Sequence, residues 1–258
     1  MNFIISTQSE LLKTKRTASF WLSLAGAALI PTIVFLHLTL DPGDAVKTFA
    51  ADPWKRIFFS AWQILAALLL PMYMILICTL IPQIEFKNNT WKQVFASPQT
   101  VSNIFFSKFL TIHLMILFCF ILFNVLLILS GVLINLISPE FTFLQRSLDW
   151  ETIMRLNVKT YISILGISAI QYWLSLRFKN FVAPVGVGLV LIIGGVVAMN
   201  LNWVHIYKYP YIYPFLSYDS MKKTSGPFLE NHEWNSIGYF VFFMLVGFLD
   251  MKLRKEKG

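Results

Sequence analysis

Apolar residues gather in six long blocks along the 258-residue chain, at about residues 18–40, 57–84, 104–137, 156–176, 181–204 and 234–252. Crossing a ~30 Å hydrocarbon layer takes ~20 apolar residues in an α-helix, and each block is close to or beyond that length. Helices fit the pattern and barrel strands do not, because the apolar runs are unbroken. The expected architecture is an all-α integral membrane protein in which residues 1–258 form a single transmembrane domain of six spans. The third block is long and the sixth short, so their ends are the least defined. Pro31, Pro71 and Pro184 are expected to kink their helices. Ala25-Gly26-Ala27-Ala28, Gly166, Gly186, Gly188 and Gly194-Gly195 either let helix backbones approach closely or reflect the general abundance of glycine in membrane helices.

Composition agrees with this reading: 57% of residues are hydrophobic and 13% charged, with a mean hydropathy of +0.65. A water-soluble fold is excluded on that balance. The first block follows Lys13-Thr14-Lys15-Arg16 and contains a signal-peptide-like Ala25-Gly26-Ala27, but it runs on to Leu40 without a break and is read as a retained span.

Charge then sets orientation. With both termini inside, the cytoplasmic segments carry Lys13, Lys15, Arg16, Lys87, Lys92, Lys108, Arg177, Lys179, Lys252, Arg254, Lys255 and Lys257 against Glu10, Glu85, Asp250 and Glu256. The remaining basic and acidic residues balance, so the whole formal charge of +8 falls on one face, as positive-inside topology expects. The expected location is the inner, cytoplasmic membrane. The basicity reports topology, and no nucleic-acid partner is expected. The tail from Lys252 to Lys257 is read as an anchor for the last helix.

Chemistry is sparse. Cys78 and Cys119 sit inside apolar blocks and are read as small buried residues. Of the histidines, His37 and His113 are expected at opposite membrane faces, and none has metal-ligand spacing. The middle of every span lacks Asp, Glu, Lys and Arg, which disfavours a secondary transporter or proton pump. Uncharged polar residues remain there, namely Gln63, Asn124, Asn135, Gln171 and Asn200. They suit interhelical hydrogen bonds; Gln63, Asn124 and Gln171 are also candidates for a translocation path. With no catalytic constellation and no G-x-x-x-x-G-K-[ST], the chain is not expected to be an enzyme or to bind a cofactor; ATP and Mg would belong to a separate ATPase.

The loop Glu85-Phe86-Lys87-Asn88-Asn89-Thr90-Trp91-Lys92-Gln93-Val94-Phe95-Ala96-Ser97-Pro98 carries the sharpest signal. Thr90 and Gln93 have capping-box spacing, and Trp91, Val94 and Phe95 share one helical face. Ser97 as N-cap with Pro98 at the first helical position is expected to start the next helix, which runs through Lys108. So short a helix needs its aromatic face packed on headgroups or on a partner protein.

This stretch resembles the first cytoplasmic loop of ABC-2-type transporter permeases, including the group related to lantibiotic-immunity and drug-export permeases. Glu85, Thr90, Phe95, Pro98 and Lys108 match its pattern, whereas Asn89 replaces a usual Gly and Val101 an Arg. The segment Ser9–Arg16 is similar to the family's amphipathic connecting segment, whose cations suit anionic membrane lipid. The specific resemblance covers about the first 110 residues. It implies that Thr90–Ala96 form a coupling helix seated on a cytoplasmic ABC ATPase, with Glu85, Trp91, Val94, Phe95, Pro98 and Lys108 supporting it. It also implies a second permease copy or a sister permease as partner, and export or extraction of a hydrophobic or amphipathic peptide, lipid or drug. The alternatives are a non-transporting membrane anchor or regulatory subunit, and an autonomous channel or carrier. The aromatic stretch Tyr207–Leu216 is read as an interfacial belt or as a re-entrant element at the outer face.

Overall fold

The computed structural model describes residues 3–49, 51–222 and 227–255. Among the described residues, six helices are long and apolar enough to cross a membrane: Ala18–Leu40, Pro53–Lys87, Val101–Ile137, Trp150–Arg177, Val182–Asn200 and Asn231–Leu253. In chain order the helices are α1 (Phe3–Thr14), α2 (Ala18–Leu40), α3 (Gly43–Phe49), α4 (Pro53–Ile64), α5 (Leu70–Lys87), α6 (Trp91–Ala96), α7 (Val101–Ile137), α8 (Trp150–Arg177), α9 (Val182–Asn200), α10 (Tyr213–Ser220) and α11 (Asn231–Lys255). We call the end of the bundle that holds α1, α6 and the end of α11 proximal, and the other distal.

The spans are unequal. The 37 residues of α7 measure about 55 Å and the 35 residues from α4 through α5 about 52 Å, well over the ~30 Å hydrocarbon thickness. The excess builds a distal cap. There Trp54 donates from Nε1 to the Phe143 carbonyl at 2.9 Å, and its ring meets the Phe143 ring edge-on, with centroids 4.9 Å apart. Phe49 and Phe141 close the cluster, and Asn135 accepts from the Leu144 N–H. Gly131 makes room for the indole, since a Cβ there would lie 2.6 Å from Trp54.

Between α4 and α5, residues Leu65–Leu69 form a π-helical turn that ends two residues before Pro71. A proline lacks the N–H that an α-helix would use and crowds the carbonyl four residues back, so a widened turn is a natural accommodation. Pro31 lies within α2, which continues past it. Pro184 is different from expectation. It is the third residue of α9, where a missing N–H costs nothing, so it begins a helix instead of kinking one.

The glycines also divide. Gly166 packs α8 onto α11, with a Cβ 3.2 Å from the Ser236 carbonyl oxygen, and Gly188 admits Ile75 of α5. Gly194 and Gly195 admit Tyr209, which belongs to the segment after α9 and not to another span. Gly186 meets nothing within 4 Å and mediates no close approach in this chain. Cys78 and Cys119 are buried and free. His37 lies in the last turn of α2, but His113 is inside the bundle between Tyr161 and Ser168, not at a face. Tyr161 hydrogen-bonds its Nδ1 at 2.8 Å, which lets the imidazole sit among apolar neighbours. Of the tail, Lys252 is exposed, and Glu256 and Lys257 lie outside the described residues.

Replacing Gly166 by Leu should lower stability by about 1–3 kcal/mol through overpacking against α11, whereas Gly186→Leu should be close to neutral. Thermal unfolding of the two purified variants in detergent checks the contrast.

Candidate functional site

At the proximal end three helices converge on a buried charge cluster. Lys108 of α7 is fully buried, and its Nζ lies 2.6 Å from Glu10 Oε2 of α1 and 2.7 Å from Glu85 Oε1 of α5. Lys13, one turn along α1, reaches Glu10 Oε1 at 2.6 Å and Glu85 Oε1 at 3.0 Å. Two carboxylates and two ammonium groups thus neutralise one another in a site from which water is largely excluded. Burial alone would raise the Glu10 carboxyl, but Lys108 and then Lys13 outweigh it and hold the group below its ordinary value. Burial would likewise lower Lys13, and Glu10 with Glu85 instead holds it raised. Ser6 extends the clamp, donating to Gln99 Oε1 at 2.9 Å and meeting Ser107 Oγ at 3.0 Å.

The geometry of α1 corrects the expected connecting segment. The helix runs over Phe3–Thr14 and ends before Arg16, which has φ of +64°. Its polar face (Ser6, Thr7, Glu10, Thr14) is buried on the protein, while Ile4, Ile5 and Leu12 point outward. Lys13 therefore serves the internal cluster, and only Lys15 and Arg16 remain exposed for headgroups.

The turn after α5 is a Schellman motif. Thr90 N–H bonds the Glu85 carbonyl at 3.0 Å, and Asn89 N–H bonds that of Phe86 at 3.3 Å. Asn89 has φ of +54°, the left-handed conformation that Gly adopts freely and Asn tolerates, which accounts for this departure from the family pattern. Glu85 thus fixes the turn with its carbonyl while its carboxylate holds Lys108.

The short helix α6 follows, over Trp91–Ala96, with two differences from expectation. Thr90 occupies the N-cap position but caps with no side-chain bond, so the capping box with Gln93 does not form. Ser97 instead ends α6, donating to the Val94 carbonyl, and α7 starts at Val101 with Thr100 as N-cap, its Oγ1 accepting from Asn103 N–H at 3.2 Å. Pro98 lies in the link between the two helices. The aromatic face of α6 turns toward the protein and stays partly exposed: Trp91 packs on Phe86 and Phe95 at 5.2 and 5.4 Å, and Lys108 Nζ lies 5.7 Å from the indole centroid. Val94 packs on the same core, so the exposed side of α6 is Lys92, Gln93 and Ala96.

Gln63, Asn124 and Gln171 are not brought together. Gln63 is exposed on α4 and accepts from Tyr218 of α10. Asn124 exchanges amide bonds with Asn157, tying α7 to α8 at 2.9 and 3.2 Å. Gln171 is fully buried six residues before the end of α8; it donates to the Pro184 carbonyl at 2.7 Å and accepts from Tyr211 at 3.0 Å. Asn200 is exposed and bonds only its own helix.

Tyr211 belongs to the proline-interrupted segment after α9, which dips into the bundle. Tyr209 reaches the Leu191 carbonyl, nine residues back from the end of α9, and Tyr211, Tyr213 and Tyr218 are buried. Beside it lies a network that sequence reasoning missed. Lys159 contacts Glu233 at 3.0 Å and donates to the Phe228 carbonyl, and Ser217 of α10 donates to Glu233 at 2.9 Å and meets His232 at 3.0 Å. A lysine just inside the fourth apolar block and a carboxylate opening the sixth were the available signal.

These features define a multi-pass helical membrane protein with a rigid, charge-clamped helical elbow at one end. A family model described as "ABC-2 family transporter protein" matches residues 6–195, well past the first 110, and the chain belongs to that family of membrane transporter permeases. Neither a curated relative nor a solved structure matches the chain at a significant level.

Lys108→Met should destabilise the protein by roughly 3–5 kcal/mol because it leaves Glu10 and Glu85 buried with one remaining lysine, whereas Lys252→Met should stay within about 0.5 kcal/mol; detergent melting curves read both. At the turn, Asn89→Gly should be tolerated and Asn89→Val should cost about 1–2 kcal/mol, measurable in the same assay.

Proposed function

We propose that this chain is the membrane-spanning subunit of an ATP-driven exporter, and that α6 receives the mechanical input from a separate cytoplasmic ABC ATPase. Membership of the family supports the pairing with such an ATPase, often around a dimer of permeases, whether two copies or two sister chains. The basic residues Lys15, Arg16, Lys87, Lys92, Lys179 and Lys252 are exposed at the proximal end, which supports a cytoplasmic position for that end and for both termini. ATP and Mg bind the partner, and the chain itself hydrolyses nothing.

The observation that carries the reading is the clamp around Lys108. Because α6 is fixed to α5 by the Schellman turn and the Trp91 contacts, and α5 is fixed to α7 and α1 by Glu85 and Glu10, a push on α6 moves four helices together. Such a rigid elbow converts closure of the ATPases into tilting of the bundle. The docking surface is then the exposed side, Lys92, Gln93 and Ala96, while Trp91, Val94 and Phe95 transmit the load. The cargo is hydrophobic or amphipathic, a peptide, lipid or drug, because the buried charges of the spans, Glu85, Lys108, Lys159 and Glu233, are engaged in ion pairs and lie toward the span ends, and the middle of every span lacks Asp, Glu, Lys and Arg. The segment with Tyr209 and Tyr211 enters from the distal end and closes the path deep in the bundle, where Tyr211 meets Gln171.

The test is co-purification with the cognate ATPase in detergent. Wild type should retain it, and a Lys92→Glu, Gln93→Glu variant that melts normally should lose it by at least about tenfold, the effect of two repulsive or unpaired groups in a docking cleft. Unchanged retention by the variant would remove α6 as the dock. No association in any form, together with transport by the chain alone in liposomes, would favour an autonomous carrier.

A further inference from the structure

A cleft of about 610 Å³ opens at the proximal end, where the start of α2, the end of α5 and the link between α8 and α9 meet. Its chemistry is two-sided. Leu80, Ile84 and Phe181 supply an apolar wall, and Lys87 and Lys179 line the cleft with Asn88 and Asn180. Both lysines are exposed, and no carboxylate is among the described residues that line the cleft.

This sets the pair apart from the cations that carry the fold's ion pairs. Lys13, Lys108, Lys159, Lys222 and Arg177 all have carboxylate partners, whereas neither Lys87 nor Lys179 has an ion pair among the described residues. The backbone adds to the same field. Helix α2 begins at the cleft wall, and no side chain caps its first N–H groups, because the Thr17 hydroxyl turns to the Thr14 carbonyl and to Ser19. An uncapped helix start carries partial positive charge and free N–H donors. The cleft is also held open by bonds that do not use the lysines. Gln83 donates to the carbonyls of Phe178 and Asn180 at 3.0 and 3.3 Å, fixing the α8–α9 link against α5.

We propose that this cleft is a binding site for an anionic phospholipid of the surrounding leaflet. The lipid phosphate sits between Lys87 and Lys179 near the start of α2, and the upper part of an acyl chain lies along Leu80, Ile84 and Phe181. The two unpaired cations over an apolar wall fit an amphipathic anion better than a soluble one, since a free phosphate would leave that wall uncovered. Juxtamembrane lysines attract anionic headgroups at about fivefold in affinity each.

Native mass spectrometry of the full-length chain, titrated with phosphatidylglycerol, phosphatidylcholine or soluble glycerol phosphate, tests this. Wild type should retain one phosphatidylglycerol in preference to phosphatidylcholine. Lys87→Gln, Lys179→Gln should weaken that retention roughly 30-fold, and Lys252→Gln, a charge change elsewhere on the same end, should leave it unchanged. Retention undiminished in the double variant, or equal retention of phosphatidylcholine, would overturn the site. Glycerol phosphate bound as tightly as the lipid would overturn the membrane as its source. Melting curves of each variant separate loss of the site from loss of the fold.

Discussion

A lysine that cannot reach water organises the proximal half of this protein. Lys108 is fully buried on α7, and desolvating its charge is tolerable only because Glu10 and Glu85 approach from two other helices. The requirement works in both directions. Each carboxylate is also buried, so α1 cannot leave the bundle and α5 cannot slide along α7 without stranding a charge. An apolar contact of equal area would permit such sliding at small cost. The ionic clamp instead gives the helices one register, and that register places the turn at Asn89 and the short helix behind it.

Much of this was legible in the sequence, for reasons that differ by element. The six spans were readable because crossing hydrocarbon demands long apolar runs, and only their ends moved, as at α11, which starts at Asn231. The short helix α6 was readable from its flanking breakers. What its aromatic face touches was not: a sequence shows that Trp91 and Phe95 share a face, but whether that face meets a partner or the parent chain depends on how α5 and α7 return to it. The capping assignments at Thr90 and Ser97 failed for a related reason. Several hydroxyls compete along Thr90-Trp91-Lys92-Gln93-Val94-Phe95-Ala96-Ser97-Pro98-Gln99-Thr100, and the Schellman turn already engages the Thr90 N–H that the Gln93 side chain would accept from in a capping box.

The polar residues inside the spans show the same limit. Gln63, Asn124 and Gln171 looked equivalent as uncharged groups at membrane depth. In three dimensions one is exposed, one is half of an amide pair, and one is the anchor for Tyr211. Similarly, Lys159 and Glu233 were counted as outer-face charges that cancel, which is arithmetically right and physically incomplete, since they cancel by direct contact in a buried site.

The π-helical turn at Leu65–Leu69 has a consequence for how this chain can change in length. The buried stripe of the second span steps in pairs through Ile57 and Phe58, Ala61 and Trp62, and Leu65 and Ala66, then jumps five residues to Leu70 and Pro71 before resuming at Tyr73 and Met74 and at Ile77 and Cys78. The wide turn absorbs one surplus residue so that both halves present the same side to the core. Removing a single leucine from that turn would restore an ordinary helix with its faces still in phase, whereas removing one residue elsewhere in the span would rotate everything beyond it by about 100°. The second span therefore carries a built-in point at which an indel of one residue is nearly silent, and the spacing between its distal cap and its proximal clamp can be adjusted without redesigning either.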